Sequence, residues 1–263
     1  MNVKDCVRQI PLSKTGRVRS WICWNKKLTK LMLLCAAGLI VCVGTFFWGI
    51  STIRYKVFPF QLIQGAKHDA IGGGWSPLYR SRKSVFELCA FRSDVVMLGD
   101  SITDWGGDFM NAEYPNLRIR NMGISGDTTD GILNRMDSAL KSCPKKAFIM
   151  VGLNDLNRRK SVDAVFDSYK QIVSKLRKEG IQVYVQSTLY PSDYGLRNLK
   201  PSITDMNRRL QAYCLESHST YIDLNSTLCP NQELDQRYTV DGTHLTGEGY
   251  AQWARLLRPH IIN

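Results

Sequence analysis

A chain of 263 residues, 44% of them hydrophobic, with only 20 glycines and 9 prolines, excludes a low-complexity, collagen-like or disordered protein and leaves room for one folded domain plus a targeting segment. Its formal charge of +12 would suit a nucleic-acid binder if the charge were spread over the fold. It is not. Residues 1–30 hold eight Lys and Arg against one acid, Asp5, and residues 31–53 hold no charge, so only five of the twelve net charges belong to residues 54–263. No nucleic-acid partner is expected.

The uncharged run 31–53, LMLLCAAGLIVCVGTFFWGISTI, is long enough as a helix to cross a hydrocarbon core of roughly 30 Å at about 1.5 Å per residue. Phe46, Phe47 and Trp48 lie near its far end, where an interfacial aromatic belt would sit. The basic leader before it is 30 residues long and no Ala-x-Ala site follows it, so an uncleaved signal anchor is expected in preference to a cleaved signal peptide or a buried core helix. This predicts a single-pass membrane protein. Residues 1–30 form a cytoplasmic leader, 31–53 the transmembrane anchor, 54–77 a tether containing Gly72-Gly73-Gly74, and 78–263 an extracytoplasmic domain (periplasmic or at the cell surface).

Along that domain, short apolar or alternating runs predict strands at 94–99, 117–122, 147–152, 181–186 and 220–224, the first of them buried on both faces. Helices are predicted at the end of 84–89, over 129–142, 202–217 and 246–259, and most clearly over 162–176. There Val162, Val165, Phe166, Tyr169, Ile172, Val173 and Leu176 share one face, and Gly180 ends the element. Strands alternating with helices imply an α/β fold with a parallel sheet, whose chemistry gathers at the carboxyl ends of the strands.

Residues suited to acyl transfer sit at those ends. Ser101 follows Val95-Val96-Met97-Leu98-Gly99-Asp100, and its rival role is a helix N-cap. His244 lies three residues after Asp241, within reach of a ring–carboxylate bond that would orient it as a base. Asn154, after another apolar strand, carries a side-chain amide that can donate to an oxyanion. Gly126 can bring its backbone N–H close to a substrate. Asp100, Asp127 and Asp155 are read as capping or supporting acids, and Trp105, Tyr190 and Tyr194 as candidate pocket residues. His68, His218 and His260 lack a partner pattern. No metal-site spacing is present, so no metal is expected. Cys89, Cys143, Cys214 and Cys229 allow three complete disulfide pairings or free thiols, with no choice among them from sequence. Asn225-Ser226-Thr227 is a glycosylation sequon, relevant only in a eukaryotic secretory pathway.

Four segments carry a family resemblance: Gly99-Asp100-Ser101-Ile102-Thr103, Asn121-Met122-Gly123-Ile124-Ser125-Gly126-Asp127-Thr128-Thr129, Gly152-Leu153-Asn154-Asp155 and Asp241-Gly242-Thr243-His244-Leu245. They resemble the blocks of the SGNH or GDSL hydrolase superfamily, with Ile102 where leucine is usual. The phrase from Tyr238 to Tyr250 is similar to bacterial relatives of platelet-activating-factor acetylhydrolase catalytic subunits and carbohydrate O-acetylesterases. The resemblance implies a three-layer α/β/α sandwich with a five-stranded parallel sheet of flavodoxin-like type. It implies Ser101 as nucleophile, the amides of Ser101 and Gly126 and the side chain of Asn154 as oxyanion donors, the Asp241–His244 pair as base, and no cofactor. Thr103 leaves the chain without the Gly-x-Ser-x-Gly elbow of α/β-hydrolases. The expected function is hydrolysis of short-chain, especially acetyl, esters on an acylated carbohydrate or lipid. The rivals are a glycan O-acyltransferase with the same residues, a lysophospholipase or lipase acting on longer chains, and a binding module without turnover.

Overall fold

The computed structural model describes residues 75–89 and 91–262, together with residues 30, 32–35, 37–48, 50 and 54. The chain divides into two compact units, 1–60 and 61–263. In the first, residues 32–35 and 37–48 are helical, and Leu33, Ile40, Phe46 and Trp48 are exposed. Among the described residues no helix is long and apolar enough to cross a membrane. The spanning helix expected over 31–53 thus finds no support among the described residues, and residues 31, 36, 49 and 51–53 lie outside them. Residues 1–29 of the leader and 55–74 of the tether lie outside the described residues.

In the second unit, β1 (Val95–Gly99), β2 (Ile119–Gly123), β3 (Lys146–Met150), β4 (Gln182–Gln186) and β5 (Thr220–Ile222) form one parallel sheet in the order β2-β1-β3-β4-β5. All five expected strands are present, with ends that differ from the expected ones by at most two residues. β1 is buried at every position, as its unbroken apolar run requires. β3 stops at Met150 because the next residue bonds elsewhere. Val151 N–H donates to the Tyr169 hydroxyl at 3.1 Å, and that hydroxyl donates to the Val151 carbonyl at 2.9 Å.

The helices are α1 (Pro77–Leu88), α2 (Ser101–Trp105), α3 (Phe109–Glu113), α4 (Thr129–Asn134), α5 (Met136–Leu140), α6 (Leu153–Asn157), α7 (Val162–Lys178), α8 (Lys200–Glu216), α9 (Asn225–Leu228) and α10 (Gly247–Ile261). α1 packs on α5, α4 on α7 and α7 on α8, while α10 packs on α3 and α9. α7 starts at the Ser161 cap and buries Val165, Tyr169, Ile172, Val173 and Leu176. α10 buries Tyr250, Trp253, Ala254 and Leu257, the stripe read from sequence. The end of α10 is tied to the sheet by Lys146, whose Nζ donates to the carbonyls of His260 and Ile261 at 2.9 and 3.0 Å. α1 begins at Pro77 behind a Ser76 cap, and Trp75 stacks on Tyr79, so the folded unit takes in residues assigned to the tether. The six described cysteines outside the leader are free, with Cys214 and Cys229 buried.

The helix expected over 129–142 is broken at Arg135, which has φ −118°. Its side chain turns inward to reach the Asp127 carboxylate at 2.9 Å and the Gly99 carbonyl at 3.3 Å. Both members of this ion pair are fully buried, so each charge depends on the other. Arg135→Ala strands the Asp127 carboxylate and is expected to cost about 3–5 kcal/mol in urea unfolding. Arg135→Ala combined with Asp127→Asn should recover part of that loss.

Candidate active site

Parallel register sets the site. Gly99, the last residue of β1, is level with Gly123 of β2 and Met150 of β3, so the segments that follow the three strands emerge side by side. Ser101 opens α2. The Asp100 side chain caps that helix by accepting from Ile102 N–H at 3.0 Å. The N-cap role that rivalled a chemical one for Ser101 thus belongs to its neighbour. α2 is pinned by the Tyr250 hydroxyl, which donates to the Ile102 carbonyl at 2.7 Å, and by Asn121, whose amide donates to the Thr103 carbonyl at 2.7 Å.

His244 arrives from the loop before α10. Its Nε2 is 2.8 Å from Ser101 Oγ and its Nδ1 is 2.7 Å from Asp241 Oδ2. A carboxylate only accepts, so the ring proton sits on Nδ1 and leaves Nε2 to accept from the Ser101 hydroxyl. Burial pushes the Asp241 carboxyl up, but hydrogen bonds from the His244 backbone and ring and from Thr243 N–H outweigh it and hold the group below the ordinary carboxylate value. The loop needs glycine at 242. Its φ is +86°, and a Cβ there would run into the backbone of Asp193. The Gly242 carbonyl accepts from Ser192 and Asp193 N–H, and Thr239 bridges Gly242 N–H and the His244 carbonyl.

Gly126 (φ +78°) lies in the turn after β2, and Asn154 lies in α6, just after β3. Asn154 Nδ2 donates to the Asp127 carbonyl at 3.0 Å and lies 3.4 Å from Asp100 Oδ2. Arg158, one turn beyond Asn154, donates to the Gly126 carbonyl at 2.7 Å. The structure therefore brings Ser101, Asp241 and His244 into one hydrogen-bonded chain and sets Asn154 and Gly126 in adjoining segments. His218 and His260 stand elsewhere: His260 closes α10 beside Lys146, at the opposite ends of the strands. His68 lies outside the described residues. Tyr190 is buried, with its hydroxyl 3.0 Å from Thr204 Oγ1. Tyr194 is exposed beside Asp193.

Behind the site are three buried acids. Asp127 pairs with Arg135, and Asp155 accepts from Thr129 N–H and Oγ1 at 3.0 and 2.6 Å. Asp100 has no cation. Burial pushes its carboxyl up to about 7, against the bond from Ile102 N–H and with the charges of Asp127 and Asp155 adding to the rise. Asp104, passed over in the sequence, accepts from Ser125 N–H and Oγ at 3.1 and 2.7 Å and pairs with Arg82 at 3.0 Å. It joins α1, α2 and the segment carrying Gly126. Position on α2, three residues after Ser101, was the signal available. Arg158 gave a similar signal, four residues after Asn154. Trp105 stacks on His244, with ring centroids 4.0 Å apart and planes at 16°. Among the described residues no cluster of three or more His, Cys, Asp or Glu is arranged to hold a metal ion.

A model of the GDSL-like lipase/acylhydrolase family matches residues 97–252, which contain Ser101, Gly126, Asn154, Asp241 and His244. N-acylneuraminate cytidylyltransferase of Streptococcus agalactiae is 26% identical over 153 residues, 58% of this chain and 35% of that protein. The chain thus spans about a third of the length of the curated relatives it matches first. A GDSL-like lipase of Bacteroides thetaiotaomicron superposes with TM-score 0.61 at 24% identity, covering 70% of this chain and 96% of that one. An acetyl xylan esterase does so with TM-score 0.55 at 20% identity, covering 64% and 99%. At these identities the superpositions establish the shared fold.

The buried Asp100 carboxyl gives stability a pH dependence. An unfolded Asp ionises near 3.9. Between there and about 7 the folded chain keeps a proton that the unfolded chain has released, so this contribution is full below the unfolded value and is lost as pH rises through about 7. Asp100→Asn keeps an oxygen for Ile102 N–H and removes the titration. The Tm of wild type minus that of the variant should fall between about pH 5 and about pH 8.

Proposed function

The chain belongs to the GDSL-like lipase/acylhydrolase family, and we propose that it is a carboxylic ester hydrolase that cleaves short-acyl, chiefly acetyl, esters through an acyl-serine. The observation that carries this reading is the unbroken chain Ser101 Oγ, His244 Nε2, His244 Nδ1, Asp241 Oδ2, with links of 2.8 and 2.7 Å. His244 takes the proton of Ser101 as the hydroxyl oxygen bonds to the ester carbonyl carbon. The imidazolium so formed is held by the ionised Asp241. The tetrahedral oxyanion receives the amides of Ser101 and Gly126 and the side-chain amide of Asn154, which turns the proton now aimed across 3.4 Å at Asp100. The C–O bond to the alcohol then breaks, and His244 returns the proton to the departing oxygen. Water, deprotonated by His244, releases the acid and restores Ser101. No cofactor enters these steps. The acetyl preference draws on the likeness to carbohydrate O-acetylesterases and on the acetyl xylan esterase among the structural relatives. By the same reasoning the substrate is an acylated carbohydrate.

On p-nitrophenyl esters, Ser101→Ala is expected to abolish turnover, a loss of at least about 10³-fold, and Asn154→Ala to lower kcat about 10²–10³-fold. Rates should fall steeply beyond acetyl. Full activity of Ser101→Ala overturns the mechanism, and activity that grows with chain length overturns the acyl assignment in favour of lipids.

The reading extends to location: the N-terminal part holds the enzyme at a membrane, with residues 54–263 outside the cytoplasm. Support comes from the basic excess confined to residues 1–30 and from the exposed apolar side chains of the helical stretches 32–35 and 37–48. The full chain is expected to stay with membranes through alkaline carbonate washing. Release into the wash would reject an integral anchor.

A further inference from the structure

The stacking of Trp105 on His244 has a chemical consequence. The imidazole is held by two hydrogen bonds, from Ser101 and to Asp241, and the lone pair and N–H of a ring nitrogen point in the ring's own plane. In-plane bonds fix where the two nitrogens point but resist tilting of the ring poorly. The indole lies flat against one face, at 4.0 Å and 16°, which is the contact that blocks tilting while leaving the ring free to slide in its plane. The indole is also the better anchored partner. Trp105 ends α2, one helical turn after Ser101, on a helix whose carbonyls are held by Tyr250 and Asn121 and whose Asp104 is tied to Arg82 and Ser125. His244 rides on a loop. The nucleophile and the surface that carries its base thus belong to one rigid element.

Packing alone does not explain an indole in this place. Trp105 is 54% exposed, so its burial contributes little to the core. An aromatic face is also suited to the charge that appears on the ring: an imidazolium stacked on indole is attracted to its π-face, whereas neutral imidazole gains less.

We propose that Trp105 is a positioning residue for His244, holding the imidazole plane and favouring its protonated form while the proton of Ser101 is in transit. This rests on the reading of His244 as the base. The contact matters most when the ring is charged, so it acts on the chemical step more than on substrate binding.

The test is steady-state kinetics of the full chain on p-nitrophenyl acetate for Trp105→Ala, Trp105→Leu and Trp105→Phe, beside Ser101→Ala, with Tm measured for each. Trp105→Ala should lower kcat at least about tenfold, equivalent to about 1.4 kcal/mol, with KM within about twofold and Tm nearly unchanged. Trp105→Phe should recover most of the loss. Trp105→Leu, apolar but without a π-face, should not. A loss confined to KM would make Trp105 a substrate wall and overturn the proposal, as would equal rescue by Leu and Phe or an unchanged kcat in Trp105→Ala. If Ser101→Ala keeps its activity, the mechanism itself falls. If only Ser101→Ala is inactive, the mechanism stands and the role of Trp105 falls.

Discussion

The parallel register of β1 between β2 and β3 is the constraint from which the site follows. It brings Gly99, Gly123 and Met150 to one level, and each chain then turns directly into a segment bearing one functional group. Backbone hydrogen bonds hold that register across three fully or mostly buried strands, so a slip of one residue would exchange the side chains packed on the two faces of the sheet and misalign the turns. The accuracy of the site is therefore inherited from the sheet and needs little from the loops themselves.

His244 is the exception, and the structure compensates for it. Its loop comes from far along the chain, and its ring meets Ser101 across 143 positions. Three constraints act on it: Asp241 in the plane of the ring, Trp105 on its face, and the backbone of the loop through Gly242 and Thr239. The Asp241 carboxylate is bonded three times by Thr243 and His244, so the pair is a closed local unit that can be carried into place by the packing of α10.

The buried acids beneath the site are held in two different ways. Asp127 has its own guanidinium and Asp155 a set of donors. Asp100 is held without a paired cation among the described residues, by Ile102 N–H at 3.0 Å and Asn154 Nδ2 at 3.4 Å, and burial pushes its carboxyl up to about 7. Its position is imposed by the helix cap that places Ser101. A buried acid that costs stability at neutral pH is thus tied to the geometry of the site, a common location for local energetic compromise.

Local chemistry determined much of this protein from the sequence alone. Short apolar or alternating runs marked the five strands, 3.6-residue periodicity marked α7 and α10, and the short spacing of Asp241 and His244 required no tertiary information to suggest a bond. The types of residue in the four segments pointed to an ester hydrolase. Tertiary structure decided what depends on distant partners. The helix over 129–142 breaks because Arg135 must reach Asp127 and Gly99, contacts that periodicity does not encode. Tyr190 reads as a pocket residue, and it lines a cavity with Thr204, Asn207 and Arg208 that includes none of Ser101, Asp241 and His244. Trp105, Asp104 and Arg158 each sit within one helical turn of a residue picked out from the sequence, yet their roles became visible only when the β1, β2 and β3 ends converged. Periodicity reports which face of an element is apolar, whereas the partner of a polar or aromatic side chain is set by where the sheet brings another element.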